Sequence, residues 1–379
     1  GRPCPPTSAA GGAEAIDFID PDLGQPAVWK ANLAFDTELP WWGVVASAEG
    51  VWTQVKEALF YQELNIGDST RVGQDGRQLY WNPAGYDRSS WNQNGVGTGV
   101  DARTLRDRDF TNVILTRGTD EGESQQYTFS LNKPFNDSDW YWQVAYTFTH
   151  ATEVSALTSS TSGSQLGNNA VFQANEEVAS RSNYEIRDRF SAALTWQHAF
   201  FGDNNTSVSM FYEGRSGRPF SYTFDNDANG DGRFNDLLYI PSGPGDVSFG
   251  SAAEEEAFWA YVEGDEYLRS HKGQIAGRNA ARNEWVNQFD IRISQELPGF
   301  FNNKAEIWLD ILNVGNLINK DWGRIEEVGF PAMKGIVEYG GLDADGKYVY
   351  RFNNPDSANI YDDKGVSRWA AQIGFRYKF

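Results

Sequence analysis

From Trp369 to Phe379 every second residue is apolar or aromatic. Trp369, Ala371, Ile373, Phe375, Tyr377 and Phe379 alternate with Ala370, Gln372, Gly374, Arg376 and Lys378. A period of two predicts a strand whose two faces meet different surroundings. The same alternation runs through Trp29 to Phe35, Tyr127 to Leu131, Trp140 to Phe148, Phe190 to Trp196, Phe289 to Ile293 and Ala305 to Ile311. It is less clean from Val44 to Val55 and from Thr206 to Tyr212. The pattern predicts nine main strands. Lys, Arg, Asp, Glu and Gln stand mid-strand on the polar faces, and Trp308 is an unusual aromatic among them.

The connections are short and long in turn. Pro40 to Gly43, Asn136 to Asp139, Gly202 to Asn205 and Gly299 to Asn303 read as tight turns. Between these hairpins lie long stretches: Phe60 to Asn112, Glu153 to Glu185, Arg215 to Glu284 and Gly315 to Val366. Such loops are rare in compact soluble domains and are the rule on one side of outer-membrane barrels. Aromatics crowd beside the short turns (Trp41, Trp42, Phe135, Trp140, Trp142, Trp196, Phe200, Phe300, Phe301), as an interfacial belt requires. Aromatics capping a soluble barrel core would look similar, but would leave the long loops unexplained. A further hairpin is expected at Asp343 to Gly346. Nine is odd, bacterial barrels have even strand numbers, and unpaired backbone in lipid costs several kcal/mol per group, so further strands are expected from a preceding segment.

Composition sharpens this reading. Aromatics make up 15% of the chain while Met numbers only 2, a balance suited to flat faces and girdles. No apolar run is long enough for a transmembrane helix, which says nothing against spanning strands. A net charge of −20 argues against nucleic acid as a partner. Cys4 is the single cysteine, so no disulfide framework exists within the chain.

These features resemble the carboxy-terminal barrel of TonB-dependent transporters, in particular the Oar-like group that carries a carboxypeptidase-regulatory-like domain. The resemblance is carried by Phe18 to Trp29, Glu38 to Gly43, Asp225 to Asp236, Arg278 to Gly299 and, most specifically, Ala305 to Gly323. It implies an all-β fold: the last strands of an antiparallel transmembrane barrel of twenty-two, with long extracellular loops and a periplasmic carboxy terminus. Residues 1–26 are then an extracellular loop segment, 27–379 the barrel part, and 215–284 one long extracellular loop. It further implies the bacterial outer membrane as location, with bilayer and lipopolysaccharide as surroundings. Its partners would be an amino-terminal plug, the remaining strands, the TonB complex and other outer-membrane or surface proteins. Phe379, with aromatics before it, is like the signal read by the barrel-assembly machinery. The function implied is active uptake or translocation of a peptide, glycan or siderophore-like substrate. A passive porin, a secreted Trp-rich carbohydrate-binding protein and an outer-membrane lipid hydrolase are the alternatives.

One loop carries candidate chemistry. Asp225-Asn-Asp-Ala-Asn-Gly-Asp-Gly-Arg-Phe-Asn-Asp236 fits a calcium loop, with Asp225, Asp227 and Asn229 at alternating ligand positions. Asp231 would offer its carbonyl and Asp236 the twelfth position. The same residues also suit a metal-free Asn/Asp/Gly turn. Ser251 to Glu254 reads as a capping box opening a short helix to about Val262. Catalysis has little support: the three histidines, His150, His198 and His271, are scattered, and no nucleophile elbow is present.

Overall fold

The computed structural model describes residues 13–299, 303–352, 360–362 and 365–378. Cys4, Phe300, Phe301 and Phe379 lie outside them, as do residues 1–12 of the opening segment. Nine long strands follow one another as an antiparallel meander: β1 (Ala27–Glu38), β2 (Val45–Glu63), β3 (Gly122–Lys133), β4 (Trp140–Glu153), β5 (Asp188–Phe201), β6 (Asn204–Arg215), β7 (Val286–Pro298), β8 (Lys304–Leu312) and β9 (Ala370–Lys378). They coincide with the nine expected from alternation. Among the described residues the wall does not close: β1 pairs with β2 alone and β9 with β8 alone. The upper half of β2 instead pairs with Phe110–Thr119, which takes Glu14–Ile19 beside it in parallel. Part of the opening segment, expected to be loop, is therefore strand.

Register aligns the apolar sets of all nine strands on one face. Phe35 faces Ala48, Ala48 faces Phe129, and the row continues through Tyr146 and Phe190. Another row runs Ile293, Leu309, Ile373. A slip of one residue anywhere would turn a whole strand inside out, so apolar surroundings on this face specify the pairing. Among the described residues nothing covers it: Leu33 is 70% exposed and Ile373 75%. The aromatics gather at the short-turn rim as expected, with Trp140 and Trp196 rings 6.4 Å apart and Phe200 packed edge-on to Trp196.

The opposite face is polar and cross-linked. Arg189 donates to Glu213 at 2.7 Å, Thr195 and Ser209 bond at 2.9 Å, and Arg292 grips both oxygens of Asp310 at 2.5 and 2.8 Å. Trp308 lies on this face because a partner strand makes room for it. Gly374 stands directly opposite, and a Cβ there would fall 2.1 Å from the indole. Arg292 and Arg376, from the flanking strands, each lie over the Trp308 ring, at 5.5 and 5.6 Å.

The long connections are not independent loops. They fold together into a cap that contains the main buried core. Leu79, Trp81 and Trp91 come from the first; Phe220, Tyr222, Phe224, Phe258 and Val262 from the third; Val337, Tyr339, Tyr348 and Tyr350 from the last. The second joins through backbone bonds between Val171 and the Asn235 to Leu237 stretch. A five-stranded sheet runs through the cap, with Pro219–Phe224 parallel to Met333–Leu342. The expected Asp343 to Gly346 hairpin exists, but its strands, Met333–Leu342 and Tyr348–Phe352, belong to this sheet and do not extend the wall. The expected helix spans Ala252–Gly264, with Ser251 Oγ accepting from the Glu254 amide at 3.2 Å. Residues 215–284, expected as a loop, thus carry short strands and helices that contribute to this core. Their apolar residues find a core only when the other long connections supply the rest of it.

The contact between Gly374 and Trp308 is sensitive to a single methyl. Gly374→Ala should cost about 1–3 kcal/mol by overpacking, read as a lower urea midpoint for the folded barrel, while Gly329→Ala, whose added Cβ meets nothing within 4 Å, leaves the midpoint unchanged.

Candidate functional site

The acidic loop runs from the end of the Pro219–Phe224 strand into the heart of the cap. Its glycines make the path possible: Gly230 and Gly232 both take positive φ, 81° and 85°. The side chains then organise the backbone. Asp227 accepts from the amides of Gly230 and Gly232 at 2.5 and 2.7 Å. Asn229 Oδ1 accepts from the Asp231 amide at 2.7 Å, and Asp231 Oδ1 from the Arg233 amide at 2.9 Å. Asp236 closes the loop by accepting from the Ala228 amide at 2.8 Å.

The structure brings together Asp227, Asn229, Asp231 and Asp236, all 5% exposed or less. Asp225, expected to open the site, stands at the surface beside Gly335 and does not join them. The loop therefore starts its organised turn at Asp227, two residues later than the spacing suggested. Asp231 enters with its side chain, not only its backbone.

Reading the sequence alone misses Arg77, a cation that reaches this acidic group from within the core. It is fully buried, donates to Asp236 Oδ1 at 2.8 Å and to the Leu237 carbonyl, and pairs with Asp75 at 3.3 Å. Its guanidinium lies over the rings of Phe172 and Phe224. Asp75 in turn accepts from the Tyr348 hydroxyl at 2.6 Å. All four long connections thus meet at one arginine. No motif marks Arg77; an Asp75-Gly76-Arg77 turn reads as surface. Burial opposes its charge, yet Asp236 and Asp75 more than offset this and raise its pKa.

The carboxylates remain in excess. Burial, then repulsion from Asp231 and Asp236, pushes Asp227 well above the ordinary carboxylate range. Burial and Asp236 push Asp231 up to about 7. Asp236 is raised less freely, because burial is countered by Arg77. Arg77 meets Asp236 from the core, and Arg233 and Arg103 act on Asp231 from the other side while also pairing with Glu63, so the three buried carboxylates are only partly balanced and their hard oxygens suit a divalent cation. Among the described residues, however, no three acidic, His or Cys side chains converge to hold a metal as they stand. Their oxygens are turned to backbone amides, and binding an ion requires side-chain rotation. His150, beside Glu185, and His198, beside Asp139, sit at opposite ends of the wall.

The raised carboxylates set a pH dependence. A folded cap that keeps protons the unfolded chain releases should lose stability, in chelator, as pH rises from about 4 through about 7, where Asp231 gives up its proton. Near-ultraviolet dichroism of the Trp81, Trp91 and Tyr339 cluster should show a lower melting midpoint at pH 8 than at pH 5, and Asp231→Asn should flatten that difference.

The chain matches the model of the family described as "Outer membrane beta barrel domain" over residues 2–321. No curated protein matches it. Among solved structures, the outer membrane transporter YddB from Escherichia coli aligns with 97% of this chain and 34% of its own, at 12% identity and a TM-score of 0.42. The chain spans about a third of that protein's length. A family match over most of the sequence joins the uncovered apolar face, the polar face behind it and the aromatic rim, and the chain belongs to the outer membrane beta barrel domain family.

Proposed function

We propose that this chain is the carboxy-terminal part of a TonB-dependent transporter of the Oar-like group, its barrel completed to twenty-two strands by a segment that precedes it. The observation that carries this reading is the pair of open edges on β1 and β9. In hydrocarbon the outer N–H and C=O groups of both strands need partners, and a continuing barrel supplies them. The polar face then lines a lumen wide enough for a plug, and the cap faces the outside with the carboxy terminus in the periplasm. Lipopolysaccharide surrounds the long-loop rim. Phe379 serves as the signal to the barrel-assembly machinery, and TonB acts through the amino-terminal region to drive uptake of a peptide, glycan or siderophore-like compound. Other surface proteins dock on the cap.

Peptide mapping and intact mass of the native protein extracted from outer membranes test this directly. A much larger polypeptide with plug peptides upstream of Gly1 is expected. An outer-membrane protein that lacks them and conducts ions passively when reconstituted would replace the reading with a porin.

Calcium is the second part of the proposal. Asp227, Asn229 and Asp231 would hold it, with Asp236 anchored by Arg77. When bound it supplies positive charge to a buried acidic turn and fixes the cap. In the melting measurement above, calcium should restore at pH 8 the stability lost in chelator. Asp227→Asn should abolish that rescue, and Asp225→Asn should leave it intact; the opposite pattern would return the site to the register that begins at Asp225.

A further inference from the structure

Where the cap meets the long-loop end of the polar face there is a cleft of about 620 Å³. It is unlike the rest of this acidic chain. Arg215, at the top of β6, projects from the polar face, since it stands opposite Arg189 in register. Arg218 follows just beyond the strand. Both address one carboxylate, Glu327, at 3.6 and 3.7 Å. These are ion-pair distances without hydrogen bonds: Arg215 Nη1 and Glu327 Oε1 are buried and neither has a hydrogen-bond partner. Two guanidiniums share one loosely held carboxylate, leaving donors and one positive charge unused.

The walls are fixed. Asn283 donates through its side chain and its backbone to the Arg218 carbonyl, at 2.8 and 3.0 Å, and accepts from the Val328 amide at 2.8 Å. Gly217 has no room for a Cβ, which would fall 2.2 Å from the Asn283 carbonyl. Against this frame two large rings stand free: Phe330 is 72% exposed and Tyr184 61%. Both line the cleft, and so does Ile325. A preformed cleft with convergent donors and apolar walls is what a small ligand requires.

We propose that this cleft binds a carboxylate carried by a flat aromatic group, the carboxylate between Arg215 and Arg218 and the ring against Phe330 and Tyr184. A peptide carboxy terminus ending in an aromatic residue and a free aryl acid share this chemistry. The inference borrows from the transport reading only the lumenal placement of the site. Binding needs no energy coupling, so a failed uptake assay would not touch it, and failed binding would leave transport standing.

The test is calorimetric titration of the full outer-membrane protein in detergent with N-acetylphenylalanine, its amide, and 2,3-dihydroxybenzoate. At least one acid should bind, and the tighter of the two assigns the source. The amide should bind at least tenfold more weakly than its acid. Arg218→Gln and Phe330→Ala change side chains that face solvent, so the protein should fold as before, and each should weaken the acid at least tenfold. Equal binding of acid and amide, indifference to both substitutions, or no binding of either acid would overturn the proposal.

Discussion

Backbone N–H and C=O groups have no water to turn to in hydrocarbon, and this constraint shapes the whole chain. It forces each membrane-crossing segment to pair along its length with both neighbours. It makes the strands two-faced, one face for lipid and one for the interior, and fixes register by the cost of turning a strand inside out. Irregular backbone is pushed to the rims. On one rim that leaves tight turns with positive φ at Trp42, Asn136 and Gly202. On the other it allows a second folding unit, built from four connections that are far apart in sequence.

That unit obeys the ordinary rules of water-soluble cores. Trp81, Trp91 and Tyr339 pack within 5.3 to 6.2 Å of one another, two pairs edge-on and one stacked. Arg77 sits at the junction of all four connections, paired and hydrogen-bonded on every side. Removing one partner of such a buried pair commonly costs about 3–5 kcal/mol. The cap therefore holds its loops in one arrangement, and the acidic turn and the arginine cleft are parts of a shaped surface above the wall. The wall has little enclosed core of its own; among the described residues its apolar side is uncovered, in keeping with the outer-membrane barrel family to which the chain belongs.

The wall was legible because its code is local. Alternation over eight to twelve residues names a strand and its faces, and the rhythm of short and long connections names the rims. Even the irregular stretch at Val44 to Val55 has a simple cause. Val51 stands on the polar side opposite Asn32, while Trp52 folds over the gap at Gly50 and bonds the Tyr127 hydroxyl at 3.0 Å. Trp308 breaks the alternation because Gly374 stands across from it and leaves room for the indole. The cap was legible only in fragments, the capping box at Ser251 and the Asp343 turn among them. Its core depends on contacts between residues more than a hundred positions apart, such as Arg77 with Asp236 and Tyr339 with Gly85. No period in the sequence encodes those. The acidic loop was legible as a stretch, but not which of its side chains are buried together: Asp227, Asn229, Asp231 and Asp236 are buried while Asp225 is exposed, a difference set by the other connections. Arg215, Arg218 and Glu327 were invisible as a group for the same reason.

The central claim is that one face of these strands meets hydrocarbon and the other water. Single cysteines placed from residue 190 to residue 195 of β5, in a Cys4→Ser background and native outer membranes, test it with a membrane-impermeant maleimide. The account predicts that positions 191, 193 and 195 label from the aqueous side while 190, 192 and 194 stay protected until the membrane is dissolved. Equal labelling of both sets, or protection of the odd set, would contradict it.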